Sequence, residues 1–148
     1  MIRRATPEDA PEVSALVNRA YEHWVPIVGG RPRPMDDDYS VRLAEFESWV
    51  DEEDGTIRGV ILLEEEGGRL WVDNVSVDPD HQGAGVGKAL LDHSVARAAD
   101  KGFSEVHLFT HELMATNRDI YTRLGWEEYE PEQPLADFFV YFRKPVSA

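Results

Sequence analysis

Between Leu70 and Leu91 the chain passes from a strand pattern, through a turn with glycine at positions 83, 85 and 87, directly into a helix. No other stretch limits the possible folds as much. The first N–H groups of a helix have no partner inside it, and the helix dipole adds positive potential there, so a glycine-rich entry makes a site for phosphate. Glycine also lets the backbone approach phosphate oxygens with no Cβ in the way. Two nucleotide loops can be tested against this segment, and neither fits. A Walker loop needs Gly, four residues, then Gly-Lys-Ser/Thr, but Gly87-Lys88 is followed by Ala89, and Gln82 stands five before Gly87. The dinucleotide pattern G-x-G-x-x-G fails on the glycine spacing, and the segment lies far from the chain start where that pattern usually stands.

The flanking elements are legible from periodicity and turn residues. Ile2 to Arg4 reads as a short strand. Thr6-Pro7-Glu8-Asp9 reads as a helix start, with a Thr cap, Pro at the first position and an acid three residues after the cap. Val13, Leu16, Val17, Ala20 and Tyr21 continue that helix to about Tyr21. Gly29 to Met35 holds two Gly and two Pro and is expected to contain no regular structure. A second helix is expected over Tyr39 to Phe46, then strands over Ser48–Asp51, Thr56–Glu64 and Arg69–Val77 as an antiparallel meander. Val86 to Lys101 is an amphipathic helix stopped by Gly102, and Val106, Leu108 and Phe109 mark a strand parallel to the one before that helix. Thr116 is expected to start a helix closed by Gly125, and Trp126–Glu130 and Phe138–Arg143 are the last strands.

Gln82-Gly83-Ala84-Gly85-Val86-Gly87 resembles the coenzyme A pyrophosphate loop, Gln/Arg-x-x-Gly-x-Gly/Ala, of the GNAT superfamily of N-acetyltransferases. Val75-Ser76-Val77-Asp78-Pro79 resembles that family's fourth strand and its exit. Asn117, Tyr121 and Leu124-Gly125-Trp126 resemble its second block, commonly Asn-x-x-x-Tyr-x-x-x-Gly-Phe/Tyr. The order of elements is similar along nearly the whole chain. The resemblance implies one domain over residues 1–148 with an α+β fold, α/β in looser usage. Its mixed, mostly antiparallel twisted sheet would be flanked by helices, with parallel fourth and fifth strands splayed to admit coenzyme A.

The same resemblance implies transfer of acetyl from acetyl-coenzyme A to a primary amine of a small molecule or peptide, directly and within a ternary complex. It assigns the pyrophosphate to Gln82, Gly83, Ala84, Gly85, Val86, Gly87 and Lys88, and the pantetheine arm to the backbones of Val75 and Val77. Asn117 and Tyr121 stand four apart and share a helical face. Asn117 can offer its amide to the pantetheine, and Tyr121 can place its phenol near the thioester sulfur and protonate the leaving thiolate. A Tyr met without that context would be assigned to packing. A coenzyme-binding sensor without turnover is the alternative, and retention of Tyr121 favours the enzyme.

Attack on a thioester needs a neutral amine, yet a typical alkylamine, with a pKa of about 10.4, is mostly protonated at pH 7. A base is therefore expected, and Asp73, Glu22, His23, His111 and Glu112 are all candidates. His107 and His111 fall across a strand and its exit with no evident third ligand, so no metal is expected. With no Cys, the chain has no disulfide, thiolate site or acyl-cysteine route. Lys plus Arg number 15 against 29 Asp plus Glu, a net charge of −14 with no long basic cluster, which argues against nucleic-acid binding. No stretch approaches the ~20 apolar residues of a membrane span, so a soluble, cytoplasmic monomer or homodimer is expected. Asp36-Asp37-Asp38 reads as a solvated helix cap, with an acidic rim for a polyamine as the alternative. Arg31 to Met35 with Asp38-Tyr39, and Thr110 with Met114, are similar to a subgroup of small bacterial members and name no acceptor.

Overall fold

The structure, a computed structural model, describes residues 1–146. After strand β1 (Ile2–Arg4), the Asp9 carboxylate accepts a bond from the Thr6 N–H at 2.9 Å, and Pro7 opens a 3-10 turn that becomes helix α1 (Ala10–Tyr21). Helical structure does not stop at Tyr21. A 3-10 turn (Glu22–Trp24) and a four-residue helix α2 (Val25–Val28) carry the chain to Gly29 and bury Trp24. The Gly29 to Met35 run also departs from expectation, because Pro34 helps form a 3-10 turn, Arg33–Met35, that buries Met35. Asp38 then caps helix α3 (Tyr39–Glu45), its carboxylate accepting from the Ser40 N–H at 3.0 Å.

Strands β2 (Glu47–Glu53), β3 (Thr56–Glu66) and β4 (Arg69–Val77) continue from β1 as an antiparallel meander. Helix α4 (Val86–Lys101), strand β5 (Glu105–His111), helix α5 (Ala115–Arg123), β6 (Glu127–Tyr129) and β7 (Phe139–Pro145) follow. Helix α5 begins one residue before the expected Thr116. The single sheet runs β1-β2-β3-β4-β5-β7-β6, with β4 and β5 parallel. Helices cover both faces. Val13, Leu16 and Val17 of α1 pack with Leu43, Val50, Val60 and Leu62 on one side, while Leu90, Leu91 and Ala98 of α4 pack with Ile61, Leu63, Leu70, Val72 and Val106 on the other.

Two irregularities shape the middle of the sheet. Leu62 pairs with Asn74 and Leu63 with Val72, so Asp73 is one extra residue in β4, a β-bulge. An extra residue slips the two-residue alternation by one. Val75 and Val77 therefore join Leu70 and Val72 on the α4 side, while buried Asn74 reaches Tyr21 and Tyr39 on the α1 and α3 side. Beyond the bulge β4 leaves β5, for the two strands pair only at Leu70 with Val106 and Trp71 with His107. Gly59, opposite Val77, lets α4 lie close on β3, since a Cβ there would come 2.7 Å from Val86 Cγ1.

Candidate active site

The end of β4, beyond the bulge, borders a cavity of about 560 Å³ at the N-terminus of α4. Gly85 stands at the cap with φ 81°, a left-handed conformation that glycine adopts without strain. The first backbone bond of α4 runs from the Ala89 N–H to the Gly85 carbonyl at 3.0 Å, leaving the N–H groups of Val86, Gly87 and Lys88 free of helical partners. Val75, Val77, Gln82, Gly83, Gly85, Val86, Gly87 and Lys88 all line the cavity; Ala84 does not. The Lys88 ammonium is held by Asp92 at 2.7 Å, so this residue offers the cavity its backbone first.

Helix α5 closes the opposite wall. Asn117 and Tyr121 both line the cavity, as their four-residue spacing requires. Trp126 and Phe142 pack around the Tyr121 ring, at 6.3 and 5.4 Å between centroids, and burial pushes the phenol well above its ordinary pKa. Its hydroxyl has no hydrogen-bond partner among the described residues.

A second cavity, about 490 Å³, lies beyond Tyr21, which lines both. The Tyr21 hydroxyl donates to Asn74 Oδ1 at 3.1 Å, and burial pushes its pKa up to about 12. The loop from Gly29 to Pro34 forms one side of this second cavity, and Phe109, Thr110, His111, Met114, Phe138 and Phe139 form the other. Asp73, projecting from the bulge, is the carboxylate in its lining. Asp73 Oδ1 accepts from Arg33 at 3.2 Å, while Oδ2 is buried without a partner, and burial raises the pKa despite the nearby guanidinium.

The candidate bases are thus sorted by position. Asp73 and His111 share the second cavity and His23 lines the first, whereas Glu22 and Glu112 line neither. His111 Nδ1 accepts from the Leu113 N–H at 3.1 Å, so that nitrogen is already engaged. His107 does not share a site with His111; its ring meets the Tyr129 hydroxyl at 2.7 Å and Glu105 at 3.1 Å. Among the described residues no group of three or more His, Asp and Glu is assembled as a metal site. The acidic run is engaged internally: Asp36 with Arg31 at 2.9 Å, Asp37 with Arg33 and Arg42, and Asp38 as the α3 cap.

Tyr21 and Asn74 were not marked by any sequence motif. Asn74 is a polar residue in an apolar strand, and that is the only signal that could have pointed to it. Among the described residues no helix is long and apolar enough to cross a membrane.

A family model described as "Acetyltransferase (GNAT) family" matches residues 12–126. The mycothiol acetyltransferase of Actinosynnema mirum is 31% identical over 145 residues, covering 91% of this chain and 47% of that protein. That of Clavibacter michiganensis is 32% identical over 131 residues, covering 83% and 41%. The chain therefore spans less than half the length of these curated relatives. A paia N-acetyltransferase from Thermoplasma acidophilum, solved in complex with coenzyme A, superposes with TM-score 0.83 at 14% identity over 98% of both chains. Nourseothricin acetyltransferase superposes with TM-score 0.74 at 22% identity over 99% of this chain and 98% of its own.

Proposed function

The chain belongs to the GNAT acetyltransferase family, and from that premise we propose that it transfers acetyl from acetyl-coenzyme A to the primary amine of a small molecule or peptide, directly and within a ternary complex. One observation carries this: the free N–H groups of α4 and the Tyr121 phenol line one cavity, and Tyr21 alone connects that lining to a second cavity. The residues present fit the cosubstrate, because the first cavity joins an anion-binding helix start to a strand edge left unpaired beyond Trp71.

When bound, acetyl-coenzyme A supplies an activated thioester. The N–H groups of Val86, Gly87 and Lys88 bind the pyrophosphate, helped by the Gln82 to Gly85 turn. The backbones of Val75 and Val77, with the Asn117 amide, orient the pantetheine arm. Tyr121 holds its proton at neutral pH, since burial keeps the phenol un-ionised, and gives it to the departing sulfur. The amine enters from the second cavity, and holding both reactants about 3–3.5 Å apart supplies most of the rate. The acceptor of the longer mycothiol relatives is not carried over, and a cytoplasmic location fits a chain without cysteine.

Release of free thiol from acetyl-coenzyme A in the presence of amines tests the activity. Initial-rate lines at several amine concentrations should intersect. Parallel lines, or an acetylated protein that loses its acetyl group on adding amine, would defeat direct transfer. Tight binding of acetyl-coenzyme A with no thiol release by any amine would instead identify a sensor.

A further inference from the structure

The charge balance around the second cavity is set by ion pairs within its loop. Three consecutive aspartates stand at its loop, yet Asp36 is paired with Arg31, Asp37 with Arg33 and Arg42, and Asp38 with the α3 N-terminus. None is left to take a second or third cation. Arg31 and Arg33 line the cavity, and because they are held in these pairs the charges of the loop largely cancel. Asp73 remains, with Oδ2 unpartnered and Oδ1 shared with an arginine that also binds Asp37. Arg33 can keep Asp37 while yielding Asp73 to another cation.

The far wall is largely aromatic, with its rings set at angles to one another. Phe109 and Phe139 lie 4.5 Å apart between centroids at 47°, Phe138 and Phe139 4.8 Å apart at 63°, and the His111 ring stacks on Phe138 at 5.0 Å and 26°. Such rings receive an aromatic group by edge-to-face or offset contact. The one available carboxylate sits on the bulge beside Asn74, which Tyr21 bonds in the wall between the cavities. An amine held there would lie in the second cavity, near the wall that Tyr21 shares with the first and beside the phenylalanines.

Resting on the acetyltransferase reading, we propose that the acceptor is a primary monoamine carrying an aromatic body, its ammonium received by Asp73, which takes its proton before attack, and its body by Phe109, Phe138 and Phe139. A polyamine is disfavoured by the same arrangement, because its further charges find no second carboxylate in the cavity lining among the described residues.

The probes are 2-phenylethylamine, n-butylamine and spermidine. Two readouts are taken on the full chain: thiol release, and calorimetric binding of each amine at saturating coenzyme A. Wild-type kcat/KM for phenylethylamine should exceed that for spermidine at least tenfold. Asp73→Asn should weaken phenylethylamine binding at least tenfold with coenzyme A affinity unchanged. Phe139→Ala should reduce the preference for phenylethylamine over butylamine. Arg33→Gln, which frees Asp73 of its competitor, should tighten phenylethylamine binding several-fold and gives a second route if Asp73→Asn does not fold. Preference for spermidine, or phenylethylamine binding indifferent to both substitutions, overturns the proposal. If no amine is turned over, the catalytic reading fails, and the calorimetry still decides the acceptor class.

Discussion

Tyr21 and Asn74 are 53 residues apart in the chain, yet the Tyr21 hydroxyl donates to Asn74 Oδ1 at 3.1 Å. Ser76 Oγ donates to the same oxygen at 2.9 Å, and Asn74 Nδ2 donates to the Tyr39 hydroxyl at 3.1 Å, which in turn donates to the Pro34 carbonyl at 2.7 Å. One buried amide thus ties α1, α3, the Gly29 to Pro34 loop and the bulged strand together. Replacing Asn74 by Ala leaves three polar groups without this partner, and a cost of roughly 2–4 kcal/mol is expected. Urea unfolding should show the lowered midpoint, with KM for the amine raised and coenzyme A affinity less affected. An unchanged midpoint would show that the network does not hold the fold.

Tyr121→Phe keeps the packed ring and removes the proton. The turnover number should fall on the order of 10²-fold, while coenzyme A affinity stays within about twofold of wild type. The sign of the pH effect follows from burial. A phenol whose pKa is raised stays in its acid form below that raised value, so Tyr121 should cause no loss of kcat up to about pH 10. Wild-type turnover in the Phe variant would contradict the assignment, and a fall in kcat centred below that pH, present in wild type and absent from the variant, would keep Tyr121 as the acid but contradict its raised pKa.

Gly59→Ala tests the seat of α4. The new Cβ would stand 2.7 Å from Val86 Cγ1 and 2.9 Å from Leu90 Cδ1, so the helix start has to move. A cost of about 1–3 kcal/mol is expected. Because Val86 also belongs to the phosphate cradle, coenzyme A should bind several-fold more weakly. Loss of stability with full coenzyme A affinity would separate the helix seat from the cradle.

Asp73→Asn should stabilise the protein at neutral pH while impairing it as an acetyltransferase. The folded state raises the Asp73 pKa, so its contribution is most favourable below the ordinary aspartate pKa and is lost as pH rises through the raised value. Asparagine has no such loss. The variant's melting temperature should therefore match wild type near pH 4 and exceed it at pH 7. A wild type that gains on the variant as pH rises would mean that the Arg33 pair outweighs burial.

The parts of the site legible in the sequence are those that local chain chemistry encodes. The Gln82 to Lys88 turn, and Asn117 with Tyr121 on one helix face, depend on spacing within a single element, and they line the expected cavity apart from Ala84. The bulge is half-legible: apolar residues fall at 70, 72, 75 and 77, and the three-residue step marks the slip. Its location at Asp73 depends on pairing with β3, which no local pattern states. The acidic run is legible as a helix cap, which Asp38 is, while Arg31, Arg33 and Arg42 engage Asp36 and Asp37 from only four or five residues away. Short helical turns after Tyr21 escaped because Pro26 and the following glycines suggest a break, whereas burial of Trp24 keeps the chain wound.

Only Leu70 with Val106 and Trp71 with His107 stitch β4 to β5. The sheet therefore carries along this line its shortest run of pairing, bordering the region where substrate chemistry is proposed. Amides bordering that line, from Val72 to Val77 and from Leu108 to His111, should exchange with solvent through small opening motions rather than full unfolding. Any molecule that lies along it favours the closed form by mass action. In a cell, susceptibility to proteases would then follow supply: the protein persists longest when the molecule filling its seam is plentiful, and is cleared fastest when that molecule runs short.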